Sequence, residues 1–120
     1  MSETQGSFWR YCATAQWEPN INICESAAAY HVAVDLAGMR REDIDVQVQA
    51  GRLVIRGQRP ILRPEIEGGP LSMHHMEIEH GSFCRELDLP GDVNPRQIAA
   101  RYKDGILWVD LPKQPEGPQP

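Results

Sequence analysis

The chain lacks long apolar runs, an excess of basic residues and a dense set of cysteines. Its longest hydrophobic stretches fall well short of the roughly 20 residues that a membrane-spanning helix needs, so we expect no transmembrane segment. The net charge is -5 and the Lys and Arg residues are scattered, which argues against a surface for nucleic acid or an anionic membrane. The first residues also lack the basic-then-apolar pattern of a secretory signal, so we expect a cytoplasmic protein.

The three cysteines, Cys12, Cys24 and Cys84, are widely spaced. Their odd number fits no disulfide framework, and their spacing fits no zinc motif. We therefore expect free thiols in a reducing compartment.

Ten prolines and ten glycines in 120 residues favour one domain of short strands and turns over a helical protein. We divide the chain into a polar arm (residues 1–16), a domain (residues 17–113) and a Pro- and Gly-rich tail (residues 114–120) that we expect to be disordered. Aromatic side chains in a segment without a clear period usually pack on their own domain or on a partner. Those of the arm are Phe8, Trp9 and Tyr11, with Trp17 at its end.

Residues 99–113 carry the clearest structural signal. Asp104-Gly105 lies between two extended patterns and predicts a hairpin, because both residues tolerate positive φ. Pro112 ends the second strand, since it has no N–H to donate to a sheet. Residues 44–57 alternate in the same way around Ala50-Gly51, which predicts a second hairpin. About seven such short strands predict an all-β protein with an antiparallel, immunoglobulin-like β-sandwich.

A long excursion, residues 58–71, interrupts the strand pattern with three prolines and two glycines. So many breakers indicate an exposed loop, and long loops are often functional. Residues 72–77 have the composition of a short strand within this excursion.

Several motifs match one family in the same order along the chain. They are Trp17-Glu18-Pro19, the Leu-x-Ile-x-Gly-x-Arg pattern at residues 53–59, the Gly-x-Phe-x-Arg pattern at residues 81–85, and the Ala-x-x-x-Asp-Gly-Ile-Leu signature that starts at Ala100. From about Trp17 to Lys113 the chain resembles the small heat-shock proteins, which share the alpha-crystallin domain, and in particular their bacterial and plant branch.

The resemblance implies an ATP-independent holdase that binds partly unfolded proteins and keeps them from aggregating under stress. The family's client groove lies between two edge strands, and the aromatic side chains of the arm would add a second client contact. Carried over to this sequence, the groove walls are Ile44, Val46 and Val48 with Ile98 and Ala100. Alternation alone leaves open that these five are inward core residues.

The resemblance also implies a homodimer in which each excursion pairs with the partner's first strand. Met73, His74 and Met76 would meet Ile21 and Ile23 of the partner copy, with Arg85 supporting the interface through ion pairs. Reciprocal exchange covers free strand edges. A mobile surface loop and a plain surface arginine are the alternatives. Because residues 114–120 carry no Ile-x-Ile anchor, we expect a dimer, a small assembly or a hetero-assembly with another family member.

Other kinds of site are weakly supported. Met73, His74, His75, Met76 and His80 include soft-metal ligands, but adjacent histidines of a strand point to opposite faces. No Gly-x-Ser-x-Gly frame or phosphate-binding loop is present. We therefore expect no metal, no cofactor and no enzyme activity. The alternative function is a co-chaperone module of the related CS-domain type, which docks on an ATP-dependent chaperone but lacks the strand-swapping loop and the signature.

Overall fold

Two short turns set the pairing of four of the strands. Asp104 and Gly105 have φ values of 55° and 81°, and Ala50 and Gly51 have φ values of 51° and 77°. Two successive residues with positive φ match the right-handed twist of a two-residue hairpin. Both hairpins that the sequence predicts are confirmed.

The computed structural model describes residues 12–115. The strands are β1 (Ile21–Glu25), β2 (Ala29–Asp35), β3 (Ile44–Gln49), β4 (Arg52–Arg59), β5 (Gly81–Asp88), β6 (Ala99–Lys103) and β7 (Ile106–Pro112). Single 3-10 turns lie at Arg41–Asp43 and Pro95–Gln97. One sheet has the order β1-β2-β7-β6 and the other β3-β4-β5, with every pair antiparallel. The predicted β-sandwich is confirmed.

The core lies between the two sheets and follows the period-two pattern. Strand β7 alternates between half-buried and buried residues, with Leu107, Val109 and Leu111 pointing inward. The other sheet contributes Leu53, Ile55, Phe83 and further apolar residues to the same cluster. Burial of one face of each sheet supplies most of the driving force for folding. It also leaves four strand edges at the rim of the sandwich: β1, β6, β3 and β5.

In the structure the excursion comprises residues 60–80, between β4 and β5, and it runs outside this core. The structure assigns no strand to residues 60–80, so the predicted short strand at residues 72–77 is absent from the isolated chain. A strand forms where its backbone N–H and C=O groups bond to the edge of a neighbouring strand. Of the residues that the structure describes, none belongs to a helix long and apolar enough to span a membrane.

The expectation of three free thiols is wrong for two of them. Cys12 and Cys84 form a disulfide across 72 residues of sequence, with their Cα atoms 5.1 Å apart. This Cα separation is ordinary for bridged cysteines. Cys24 alone is a free cysteine, and it is exposed. Sequence spacing could not show the pairing, because it depends on residues 12–17 running beside β5.

Candidate functional site

A groove separates the free edges of β3 and β6, one from each sheet. Its cavity has a volume of about 300 Å³. Ile44 and Val46 line it from β3, Ala100 and Tyr102 line it from β6, and Leu107 lies between them. The sandwich brings these strands together because β3 ends one sheet and β6 ends the other. The result is an open depression of mixed polarity, with apolar side chains beside charged ones, bounded by two strand edges that are unpaired within residues 12–115.

Three of the five predicted groove residues share this cavity: Ile44, Val46 and Ala100. Val48 is exposed farther along β3, and Ile98 packs against the core just before β6. Ile44 and Val46 also pack against the core. The two interpretations that the sequence left open, core and groove, therefore both apply to these residues.

The groove has a charged rim and a rigid aromatic wall. Arg41, Asp45 and Arg101 complete its lining. The Tyr102 hydroxyl donates to the Leu36 carbonyl at 2.6 Å, which fixes the position of the ring. An apolar floor between fixed walls and charges of both signs suits an extended peptide that places alternate side chains into the depression.

A second apolar surface lies on the excursion. Its exposed large apolar residues are Ile61, Leu62, Ile66, Leu71, Met73, Met76 and Ile78. Met73 and Met76 contribute with Ile61 and Leu62 to a cavity of about 160 Å³, so the outgoing and returning parts of the excursion lie against each other. His74 does not line this cavity, whereas its neighbour His75 does and is paired with Glu77. Apolar patches of this kind commonly mark interaction surfaces.

Strand β1 offers the edge to which the predicted exchange would add a strand. Among the described strands it pairs with β2 alone, Ile21 packs against the core, and Ile23 is 55% exposed. Within one copy of the chain, the structure does not bring Ile21 or Ile23 together with the methionines of the excursion. Contact between them requires a second copy and stays a prediction.

Arg85 links β5 to the segment that leads into β1. Its guanidinium donates to the Pro19 carbonyl at 3.2 Å, and its Nη1 lies 3.9 Å from the Glu18 carboxylate. The Arg85 guanidinium is therefore held by these two groups and is not a plain surface arginine. Its role in a dimer interface stays a prediction.

Trp17 does not belong to an accessible arm, and that prediction is wrong. Its side chain is only 8% exposed and lies in the core cluster. The indole N–H donates to the Gly81 carbonyl at 3.1 Å, and the ring packs against Phe83 with 5.3 Å between centroids. A buried indole with a satisfied N–H is a structural anchor. The predicted client-binding residues Phe8, Trp9 and Tyr11 lie outside the described residues.

Arg59 is a buried residue that our interpretation of the sequence missed, although it ends the Leu-x-Ile-x-Gly-x-Arg motif. Its Nε and Nη2 donate to the Glu79 carbonyl at 2.9 and 2.5 Å, and its Nη1 donates to the Ala37 carbonyl at 3.2 Å. Its guanidinium carbon also lies 4.2 Å from the Trp17 ring centroid. Because the excursion leaves the sheet at Arg59 and returns at Glu79, these bonds close the base of the excursion.

A Ser-His-Asp chain of hydrogen bonds lies at the turn between β1 and β2. The Ser26 hydroxyl is 2.9 Å from His31 Nε2, and His31 Nδ1 is 2.9 Å from the Asp110 carboxylate. The Ser26 amide, however, donates to the Ala29 carbonyl at 2.8 Å. The Ser26 hydroxyl also lies 3.2 Å from the same carbonyl. The chain of bonds holds the turn against β7.

Two polar side-chain pairs lie near the end of β7 and the turn between β1 and β2. Lys113 donates to Glu25 at 2.5 Å, and this hydrogen bond raises the pKa of Lys113. The Tyr30 hydroxyl donates to Asp92 at 3.0 Å, which raises the pKa of Tyr30. Within residues 12–115, no group of three or more His, Cys, Asp or Glu side chains is arranged to hold a metal ion.

Comparison with known proteins gives one consistent result. The model of the Hsp20/alpha crystallin family matches residues 22–120. Small heat shock protein C2 of Rickettsia felis is 33% identical over 99 residues, which cover 82% of this chain and 62% of that protein. The 17.7 kDa class II heat shock protein of Arabidopsis thaliana is 35% identical over 100 residues, with the same two coverages. The chain thus spans about three fifths of the length of these curated relatives.

The fold is also similar to solved structures. A small heat-shock protein from Xylella fastidiosa superposes with a TM-score of 0.75 and 30% sequence identity. The similarity covers 88% of this chain and 94% of that one.

Proposed function

Because the chain belongs to the Hsp20/alpha crystallin family, we propose that it is an ATP-independent chaperone, a holdase that binds partly unfolded proteins and prevents their aggregation. Such clients expose apolar segments and unpaired strand edges. Covering them requires accessible apolar surface and no catalytic step. The family match favours this function over a CS-domain-like co-chaperone module.

The observation that carries the proposal is the groove between β3 and β6. Ile44, Val46 and Ala100 supply apolar side chains to a depression with a charged rim, flanked by two strand edges whose outer sides are unpaired in the described part of the chain. An extended client segment can place every second side chain in this depression. We propose that Val48 and Ile98 extend the same surface beyond the cavity.

We propose a second client contact at the aromatic side chains of the arm, Phe8, Trp9 and Tyr11. The support for it is the composition of residues 1–11. Removal of residues 1–11 leaves Cys12 and Trp17 in place and lowers client protection if the arm binds clients. Unchanged protection would contradict this role.

The proposed activity is tested by light scattering of a heat-sensitive client in the absence of nucleotide. We expect suppression of aggregation at excess of this protein over client. Ala100→Glu introduces a charge into the groove and should weaken the suppression severalfold. Ala99→Glu is the matched control, because Ala99 is exposed on the opposite face of β6. Lack of suppression by the unaltered protein would refute the holdase function, and equal loss in both variants would refute the groove.

We propose a homodimer formed by strand exchange, in which Met73, His74 and Met76 pair with Ile21 and Ile23 of the second copy. It is supported by the free edge of β1 and by the exposed apolar side chains of the excursion. Arg85 would steady the entry to β1 through its bond to Pro19.

The dimer is tested by mass measurement in solution. The unaltered chain should have twice the mass of one copy. The double variant Met73→Asp/Met76→Asp should shift the mass toward one copy, since it places charges in the exchanged segment. Ile66→Asp is the control, because Ile66 is an exposed apolar residue of the same excursion outside residues 72–77. A monomeric unaltered protein would contradict strand exchange.

We further propose a cytoplasmic location, and assembly as the dimer, a small oligomer or a hetero-oligomer with another family member. Residues 17–113 form the proposed alpha-crystallin domain, between the arm of residues 1–16 and the tail of residues 114–120. The strands of the described chain, from Ile21 to Pro112, support these boundaries.

A further inference from the structure

Residues 12–17 are attached to the beginning of β5 at two points. At one point, Cys12 is bonded to Cys84 through the disulfide. At the other, the Gln16 and Trp17 amides donate to the Ser82 carbonyl at 2.9 and 3.2 Å, and the Ser82 amide donates to Gln16 Oε1 at 2.9 Å. The segment therefore lies along the edge of the three-stranded sheet that β5 forms.

The two attachments differ in what supports them. Trp17 is held by the core, where it packs against Phe83 and Arg59. The turn that precedes it has exposed side chains at Ala13 and Thr14, and the Ala15 amide bonds back to the Cys12 carbonyl within the same turn. Cys12 is thus the residue that fastens this turn to β5.

The fastened turn also forms one wall of a cavity of about 440 Å³. Thr14 and Ala15 line this wall, and Asp45, Gly57 and Phe83 are among the residues of the other walls. Release of the turn would open the cavity and the adjoining edge of β5.

We propose that Cys12–Cys84 is a reversible redox site whose reduction by a dithiol releases residues 12–15 from β5 while the sandwich stays folded. Oxidation by the disulfide form of the same class of reagent fastens the turn again. The third cysteine, Cys24, is free. A compartment with a thiol pool keeps such a pair reduced until the pool becomes oxidised.

Access determines the order of the exchange. Cys84 is only 2% exposed, whereas Cys12 is half-buried. A thiolate of the dithiol attacks the Cys12 sulfur, the S–S bond breaks, and Cys84 leaves as a thiolate that takes a proton from solvent. The second thiolate of the reagent then attacks the mixed disulfide, and Cys12 leaves as a thiolate that is protonated in turn. Two electrons pass to the protein, and the reagent becomes a disulfide.

Counting reactive thiols tests the chemistry. After equilibration with an oxidised dithiol, the intact chain should accept one alkylating group, at Cys24, and after reduction it should accept three under denaturing conditions. Cys24→Ser should keep the switch: it should accept no alkylating group after oxidation and two after reduction. Three alkylated thiols after oxidation, or a chain-to-chain disulfide through Cys12, would overturn the proposal.

Hydrogen exchange tests the release. Reduction should speed exchange of the Ala15 amide by about tenfold or more, while the Trp17 amide, which stays bonded to the Ser82 carbonyl, and the amides of β2 and β7 keep their protection. Cys12→Ser should show the fast exchange under both conditions. Equal exchange in both redox states, or faster exchange throughout the chain, would overturn local release. Neither test depends on the holdase activity.

Discussion

The Arg59 guanidinium lies 4.2 Å from the centroid of the Trp17 ring and donates hydrogen bonds to the carbonyls of Glu79 and Ala37. Trp17 in turn donates to the Gly81 carbonyl. One stacked pair therefore connects the segment before β1, the turn after β2 and both ends of the excursion. The excursion that we propose to exchange between copies is positioned at its base by this pair.

Arg59→Lys should destabilise the fold although the charge is kept. A lysine cannot donate to both carbonyls with a planar fork or stack on the indole, so we expect a loss of about 2 kcal/mol. Urea unfolding measures it. Arg63→Lys, on the exposed excursion, should stay within about 0.5 kcal/mol of the unaltered protein. Equal midpoints for both variants would show that the buried fork does not contribute.

Gly57 is required by the close approach of Phe83 from the neighbouring strand. A Cβ at Gly57 would collide with the Asp43 carbonyl and would lie 2.7 Å from Cζ of Phe83. Gly57→Ala should therefore cost about 2 kcal/mol, because neither the backbone nor the packed ring can move aside freely. Gly91→Ala is the control, since its Cβ would meet nothing within 4 Å. Thermal unfolding of both variants measures the difference in stability between them. Equal stability of the two variants would show that the Asp43 carbonyl and the Phe83 ring move aside.

The local features of this fold could be predicted from the sequence, since turn chemistry and alternation act between neighbours. Asp104-Gly105 predicted its hairpin because both residues adopt positive φ. Alternation with the family resemblance placed Ile44, Val46 and Ala100 at one groove.

Contacts between distant parts of the chain could not be predicted in this way. The Cys12–Cys84 bond spans 72 residues, and the burial of Trp17 depends on how residues 12–17 cross β5. The strand expected at residues 72–77 pairs with none of the strand edges of its own chain within residues 12–115, so its local composition is not sufficient to form it.

Alkaline pH should weaken the contacts at the end of β7. The hydrogen bond to Glu25 raises the pKa of Lys113 above 10.5, and the bond to Asp92 raises the pKa of Tyr30 above 10.0. A raised folded-state pKa means that the contribution to stability is complete below the unfolded value and is lost as pH rises through the folded value. The contribution should therefore be constant at neutral pH, begin to decrease at about pH 10 to 10.5, and disappear as the pH passes the raised folded-state values.

Lys113→Met tests this pH dependence. The difference in unfolding midpoint between the variant and the unaltered protein should shrink as the pH is raised from 9 toward 11.5, in about half-unit steps that bracket the ordinary lysine pKa. Lys103→Met, at an exposed position of β6, is the matched control and should show no such trend. A difference that persists unchanged through this range would contradict the assignment to the Lys113–Glu25 pair.

Reduction of the Cys12–Cys84 disulfide should lower global stability even though the folded sandwich keeps its structure. The bond closes a loop of 72 residues in the unfolded chain, and the loss of that constraint corresponds to about 4 kcal/mol in the chain-entropy description. Urea unfolding with and without a dithiol reductant, at one protein concentration, measures it. Cys12→Ser should match the reduced protein under both conditions, and Cys24→Ser should respond to reductant like the unaltered chain. An unfolding midpoint that reductant does not change would show that the bond does not constrain the unfolded state.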